Sequence, residues 1–305
     1  MAKETTFIDT QDGLKGLVDL IARQDTWMGD FKPLLYIDLE GRKLSRHGTI
    51  SLMTVLVSPG HGLMSPRVID IHSLGSVAFS TTGQRGNSLK DILESPQIIK
   101  AFFDVRNDSD ALYAHYGVRL QGVRDIQLME SAGRPNTPGR KYLSGLSKCI
   151  EQALFNARER EKWMLDKTNG EALWNPQKGG SYSVFDKRPL LDAIIRYCVG
   201  DVQYLPTLYT RYRHSTDLWN QLIAEASQKR VSLSHAVEYQ PEGPGRALSP
   251  WSPEQNKLLD EWNAPPPRPS GDYFSYDSDS DDGWYPYDDN DFEDWTRAPW
   301  QGPPS

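Results

Sequence analysis

The sequence predicts a mixed α/β domain: a five-stranded sheet flanked by helices, followed by a disordered acidic C-terminal tail. Three observations lead there. Strand-like and helix-like segments alternate along the body, three strands first, then helix, strand, helix, strand and further helices, an order that suits a mixed sheet covered on both faces. The strand segments are short, apolar and bounded by turn residues, as buried strands are. From residue 264 onward the composition shifts to Pro, Asp, Ser and Gly without periodicity.

In chain order, GLKGLVDLIAR sets Leu14, Leu17 and Ile21 at helical spacing, and LLYID at 34–38 reads as a strand. GTISLMTVLVS is a second strand, β-branched and apolar, entered through the turn-rich GRKLSRHG, and RVIDIH is a third. SLKDILESP is a short helix with Ser88 as cap and Pro96 as stop. QIIKAFFDV is the fourth strand, DSDALYAHYG a helix ended by Gly117, and VRDIQ the fifth strand. YLSGLSKCIEQAL aligns Leu143, Leu146, Ile150 and Leu154 on one helical face. Between Ala157 and Lys187 the pattern weakens, which predicts a long charged connection. One helix is then expected through PLLDAIIRYCVGDVQYLPTLYTRYRH, opened by Pro189. Another falls near DLWNQLIAEASQKR, before the irregular YQPEGPGRALSPW.

No run of about 18 apolar residues occurs, so no membrane span is expected. The N-terminal MAKETTFIDTQ lacks the apolar centre of a secretory signal. Cys149 and Cys198 stand far apart, which argues against a disulfide framework and fits a reducing, intracellular compartment; no basic import cluster separates cytoplasm from nucleus. The net charge of −7 hides an asymmetry: Arg268–Ser305 holds ten acids against two arginines, a net of −8, leaving 32 Lys/Arg and 31 Asp/Glu elsewhere, a net of +1. A near-neutral body with basic patches can bind a polyanion. The tail repels one, and its Tyr273, Phe274, Trp284, Trp295 and Trp300 among acids suit it to dock a protein partner.

The segment LLYIDLEG poses the chemical question. Asp38 and Glu40 are two residues apart at the end of a core strand, so both project from the same face. Like charges held that close need a partner. Further acids fall at matching places: Asp104, Asp108 and Asp110 after the fourth strand, and Asp201 one helical turn from Tyr197. A divalent-metal site of hard oxygen ligands, suited to Mg²⁺ or Mn²⁺, satisfies them together. Taken singly, each has a structural explanation. Asp38 and Glu40 could be turn residues, Asp108 a helix cap, Tyr197 core packing, and Asp201 the partner of Arg196 or Arg211.

Asp38-x-Glu40 after an apolar strand, an Asp opening the helix after the fourth strand, and Tyr197-x-x-x-Asp201 on a late helix resemble the three motifs of the DEDD family of 3′–5′ exonucleases. The resemblance is to its tyrosine-containing branch, with ribonuclease D. VRDIQLME, YLSGLSKCI and KRPLL…YCVGDVQYL are similar to supporting segments of that branch, and DVRNDSDALY resembles exonuclease-domain proteins related to Egalitarian. The resemblance spans residues 5–215, which implies a ribonuclease H-like exonuclease domain, a helical and irregular extension at 216–263, and the tail at 264–305. Counting back from Gly117 as in ribonuclease D selects Asp108 as the middle metal-site acid, with Asp110 second and Asp104 third.

The implied activity is metal-dependent hydrolysis of the 3′-terminal phosphodiester of RNA or DNA, releasing nucleoside 5′-monophosphates. Asp38, Glu40, Asp108 and Asp201 would hold two Mg²⁺ or Mn²⁺ ions, and Tyr197 would orient the attacking water. Arg106 and Arg188, beside the motifs, are the best-placed phosphate contacts. The competing expectation is a nuclease-fold adaptor that binds nucleic acid or protein without activity.

Overall fold

The computed structural model describes residues 5–24, 32–59 and 65–264. Six strands form one sheet: β1 (Thr6–Ile8), β2 (Leu35–Glu40), β3 (Leu52–Val57), β4 (Arg67–Asp70), β5 (Lys100–Phe102) and β6 (Val123–Asp125), in the spatial order β1-β4-β3-β2-β5-β6. β3 runs antiparallel to both β2 and β4, with Glu40 opposite Leu52; the β1–β4, β2–β5 and β5–β6 pairs are parallel. The expected five-stranded sheet thus gains a sixth member. β1 is three residues long, too short for any alternation to register, and it exists through its pairing with β4 at the sheet edge.

The first helices are α1 (Gln11–Gln24), α2 (Ile71–Leu74), α3 (Val77–Ser80), α4 (Leu89–Glu94) and α5 (Arg106–Tyr116). Then come α6 (Ile126–Ala132), α7 (Leu146–Ala153), α8 (Ala157–Trp174) and α9 (Asp192–Gln203). The last are α10 (Leu205–Tyr212), α11 (Asp217–Ser234) and α12 (Pro253–Trp262). None of the described helices is long and apolar enough to cross a membrane.

Strand periodicity sorts β2 between two cores. Leu35, Ile37 and Leu39 join Leu14, Leu17 and Ile21 of α1, Leu93 of α4 and Leu112 of α5 on one face. Tyr36 points to the other face, among Ile126, Ile150, Leu208 and Trp219 from α6, α7, α10 and α11. Asp38 and Glu40 continue that second face beyond its apolar filling. Several terminators act as their residue types predict: Ser88 and Asp91 form a capping box on α4, and Gly117 ends α5 in a left-handed conformation at φ 63°. The buried Lys100 donates to the carbonyls of Ile92, Leu93 and Ser95, closing the C-terminus of α4 from within the sheet.

Two expectations about helices are corrected. The charged connection from Ala157 onward is largely the 18-residue helix α8; only Trp163 and Gly170 of it are buried, so it shows no apolar stripe. The single helix expected from Pro189 divides into α9 and α10, because Pro206 supplies no amide to continue the ladder and opens a new first turn instead. Helix α11 lies against β6, α5 and α6, where Arg230 pairs with Asp125 at 2.7 Å. One compact unit extends to Ala264. The acidic tail and its aromatic residues, from 265 onward, lie outside the described residues.

Candidate active site

The site forms where the C-terminal end of β2 meets α9. Asp38 and Glu40 emerge from the strand, and Tyr197 and Asp201 face them from successive turns of the helix. Carboxylate oxygens of Asp38, Glu40 and Asp201 lie within 4.8 Å of one another. Asp108, in the first turn of α5, accepts a hydrogen bond from the Leu39 amide at 3.2 Å, which ties that helix start to the strand between the two acids.

Crowding appears in the acidities. Burial, then repulsion from Glu40, Asp108 and Asp201, pushes the Asp38 carboxyl well above the usual range. Burial and Asp201 lift Glu40 to about 8, although Lys167 and the Tyr197 hydroxyl act the other way. Burial lifts Asp108 to about 7 against its hydrogen bonds to backbone amides. Asp201 is raised by burial too, with Lys167 opposing. Burial also raises the Tyr197 phenol, so it stays protonated at neutral pH. Cys198, enclosed beside the same acids, has its thiol pushed up and is no nucleophile.

The other acids after β5 serve the fold. Asp110, fully buried, accepts from the Arg46 backbone amide at 2.7 Å and from its Nε at 2.6 Å. Asp104, at φ 60°, receives Arg106 in a two-pronged contact of 2.5 and 2.7 Å and Arg246 at 3.0 Å. Burial alone would raise its pKa, yet Arg106, Arg230 and Arg246 together outweigh burial and bring it to about 2. Of the three, Asp108 is the acid whose charge is felt at both Asp38 and Glu40.

The two arginines expected to meet phosphate are already engaged. Arg106 is held by Asp104, and Arg188 is held by the buried Asp70 in a two-pronged ion pair while also donating to the Phe185 carbonyl. Their ion-pair partners are these two acids and not the carboxylates of the cluster. Other basic side chains line an opening: Arg42, which pairs with Asp186 at 2.9 Å, and Lys43, together with His47 and Tyr182, border a cavity of about 720 Å³ just past Glu40. Tyr182 stacks on Trp174 at 5.5 Å between centroids, and Trp174 meets the Tyr197 ring edge-on at 6.0 Å, so aromatic side chains run from cavity to cluster.

Lys167 is the residue the sequence reading missed. Its Nζ lies 2.5 Å from Asp201 Oδ2 and 3.3 Å from the Tyr197 hydroxyl, so Asp201 pairs with neither Arg196 nor Arg211. Asp201 Oδ1 is buried and has no hydrogen-bond partner. An orphaned carboxylate oxygen beside two further carboxylates is the donor set of a hard divalent cation, and the residues fit one.

Comparison with known proteins agrees with this geometry. A family model described as 3′-5′ exonuclease matches residues 9–216. Among curated proteins, the piRNA biogenesis protein EXD1 of Mus musculus is 29% identical over 182 residues, covering 56% of this chain; the chain spans 28% of that protein's length. Trypanosoma brucei RNase D in complex with GMP superposes with a TM-score of 0.63 at 20% identity, covering 85% of this chain and 71% of that one. The same enzyme with RNA U12 gives a TM-score of 0.60 at 19% identity, covering 86% and 79%. With the family model matched over more than half of its length and the RNase D fold shared, this chain belongs to the 3′-5′ exonuclease family.

Proposed function

We propose that the protein is a metal-dependent exonuclease of the tyrosine-containing DEDD branch, hydrolysing the 3′-terminal phosphodiester of a nucleic acid and releasing nucleoside 5′-monophosphates. The observation that carries this reading is the cluster of Asp38, Glu40 and Asp201 oxygens within 4.8 Å, with Asp201 Oδ1 buried and unpartnered. Asp38, Glu40 and Asp201, with Asp108 beside them, would hold the Mg²⁺ or Mn²⁺ ions. Bound ions would supply the Lewis acidity that activates water and stabilises the departing 3′ oxygen. The protein's own groups do the rest. Tyr197, protonated and fixed by packing, orients the attacking water as a hydrogen-bonding partner and not as a base. The buried start of α5 holds Asp108 against the strand that carries Asp38 and Glu40. Arg42, Lys43 and Tyr182 border the opening through which a strand would enter.

RNA is the first substrate to test, because RNase D with its RNA shares the fold. The experiment follows 3′- and 5′-labelled single-stranded RNA and DNA with Mg²⁺, Mn²⁺ or EDTA, beside an Asp38→Asn, Glu40→Gln double mutant. A metal-dependent ladder from the 3′ end that the double mutant lacks is the expected result. Equal RNA binding by both proteins with no degradation would replace this reading with that of a nucleic-acid adaptor.

A further inference from the structure

Lys167 brings an ammonium into the carboxylate cluster from α8, a mostly exposed helix whose one narrow buried face packs on α9. Its side chain is 14% exposed and that of Asp201 5%. The ammonium takes Asp201 Oδ2, approaches the Tyr197 hydroxyl, and sits 4.3 Å from the centre of the Tyr197 ring. A carboxylate is planar, so fixing one oxygen fixes the direction of the other. Here the other is Oδ1, buried and unpartnered.

The seating of α8 is built around this contact. Trp163, Lys167 and Gly170 fall at i, i+4 and i+7, one face of the helix, and Trp163 and Gly170 are its buried residues. Trp163 Nε1 donates to the carbonyl of Gly200, the residue before Asp201, at 3.2 Å. A Cβ on Gly170 would stand 2.5 Å from Tyr197 Cβ, so glycine is what lets α8 lie directly on the tyrosine. The helix is therefore pinned on either side of Lys167 to α9, the helix that carries both residues Lys167 touches. Packing alone would favour an apolar side chain at the centre of such a face, since burying an ammonium is costly.

We propose that Lys167 is a positioning residue. It holds Asp201 and Tyr197 in the mutual arrangement that presents Asp201 Oδ1 to a divalent cation and the Tyr197 hydroxyl to the attacking water. The proposal rests on the metal-dependent reading above and adds a residue to it. Groups that hydrogen-bond the far atom of a metal ligand orient it, and their loss typically costs about 10–100-fold in metal affinity or activity.

The test titrates Mn²⁺ by calorimetry into the wild type, Lys167→Met and Lys167→Arg without substrate. Melting temperatures in EDTA and kcat and KM on single-stranded RNA accompany it, and Lys167→Gln stands in if the methionine variant does not fold. The expected result is Mn²⁺ binding about 10–100-fold weaker in Lys167→Met, kcat reduced with KM little changed, and partial recovery of both in Lys167→Arg. A variant that melts lower in EDTA yet binds Mn²⁺ as tightly as the wild type, or more tightly, with kcat intact, reduces Lys167 to a helix-pairing ion and overturns the proposal. Absence of Mn²⁺ binding in the wild type overturns the metal reading itself, and the role of Lys167 with it.

Discussion

The substitution Asp108→Asn removes one charge from a crowded site while keeping a side-chain oxygen that can accept from the Leu39 amide, 3.2 Å away in the wild type. The Asp108 carboxyl is moved from its ordinary 3.8 to about 7, chiefly by burial. Between those values the folded protein binds a proton that the unfolded chain has released, so stability falls as pH rises through that window and stays low above it. At about 1.4 kcal/mol per pH unit of displacement, this costs the metal-free fold on the order of 4 kcal/mol at pH 8, where Asp108 is ionised, and less than half of that at pH 5, where it is protonated. Asparagine avoids the cost. Measured by thermal melting in EDTA, Asp108→Asn should raise the midpoint at pH 8 on the order of 10 °C, taking about 2–4 °C per kcal/mol for a body of this size. The gain should shrink markedly at pH 5. Saturating Mn²⁺ should narrow the pH 8 gap, because a cation that binds the folded wild type stabilises it by mass action. A variant less stable than the wild type at pH 8, or a gain independent of pH, would refute the assignment of Asp108 to the repelling cluster.

Asp110→Asn should have the opposite sign, losing about 1–3 kcal/mol through its weakened contact with Arg46, with Mn²⁺ affinity unchanged in the calorimeter. Gly170→Ala places a methyl 2.5 Å from Tyr197 Cβ and should cost about 1–3 kcal/mol as α8 lifts, with Mn²⁺ binding weakened as Lys167 retreats. Arg188→Ala leaves the buried Asp70 without its ion pair and should destabilise by about 3–5 kcal/mol while KM for single-stranded RNA stays constant. A higher KM at an unchanged melting temperature would instead return Arg188 to the substrate.

Much of the site was legible because its spacings are local. Two acids at i and i+2 share a strand face, and Tyr197 and Asp201 at i and i+4 share a helix face, whatever the rest of the chain does. The unread parts depend on distant partners. β1 is three residues that become a strand only beside Arg67–Ile69. The helix α8 lacks an apolar stripe because only a narrow face of it is buried, so periodicity had nothing to register. Lys167 meets an acid 34 residues further on, a pairing no local pattern announces. For a related reason, the positions of Arg106 and Arg188 beside the motifs say nothing of Asp104 and Asp70, with which the fold pairs them.

These residues together explain why a core strand tolerates adjacent carboxylates. Each acid of the cluster is more basic than its residue type, mainly through burial, so the fold at neutral pH carries a cost that protons only partly relieve. Lys167 bonds one oxygen of Asp201 and also draws Asp38 and Glu40 down, yet all three stay raised by burial and repulsion from neighbouring carboxylates. Other buried acids among the described residues are paired: Asp104, Asp110 and Asp125 each have a close guanidinium partner and belong to the scaffold. The difference between the two groups of buried acids is a difference of purpose. A scaffold settles its charges internally, whereas Asp38, Glu40, Asp108 and Asp201 are left with a deficit that a divalent cation would offset, so on the proposed function binding of the cation and stability of the site are linked.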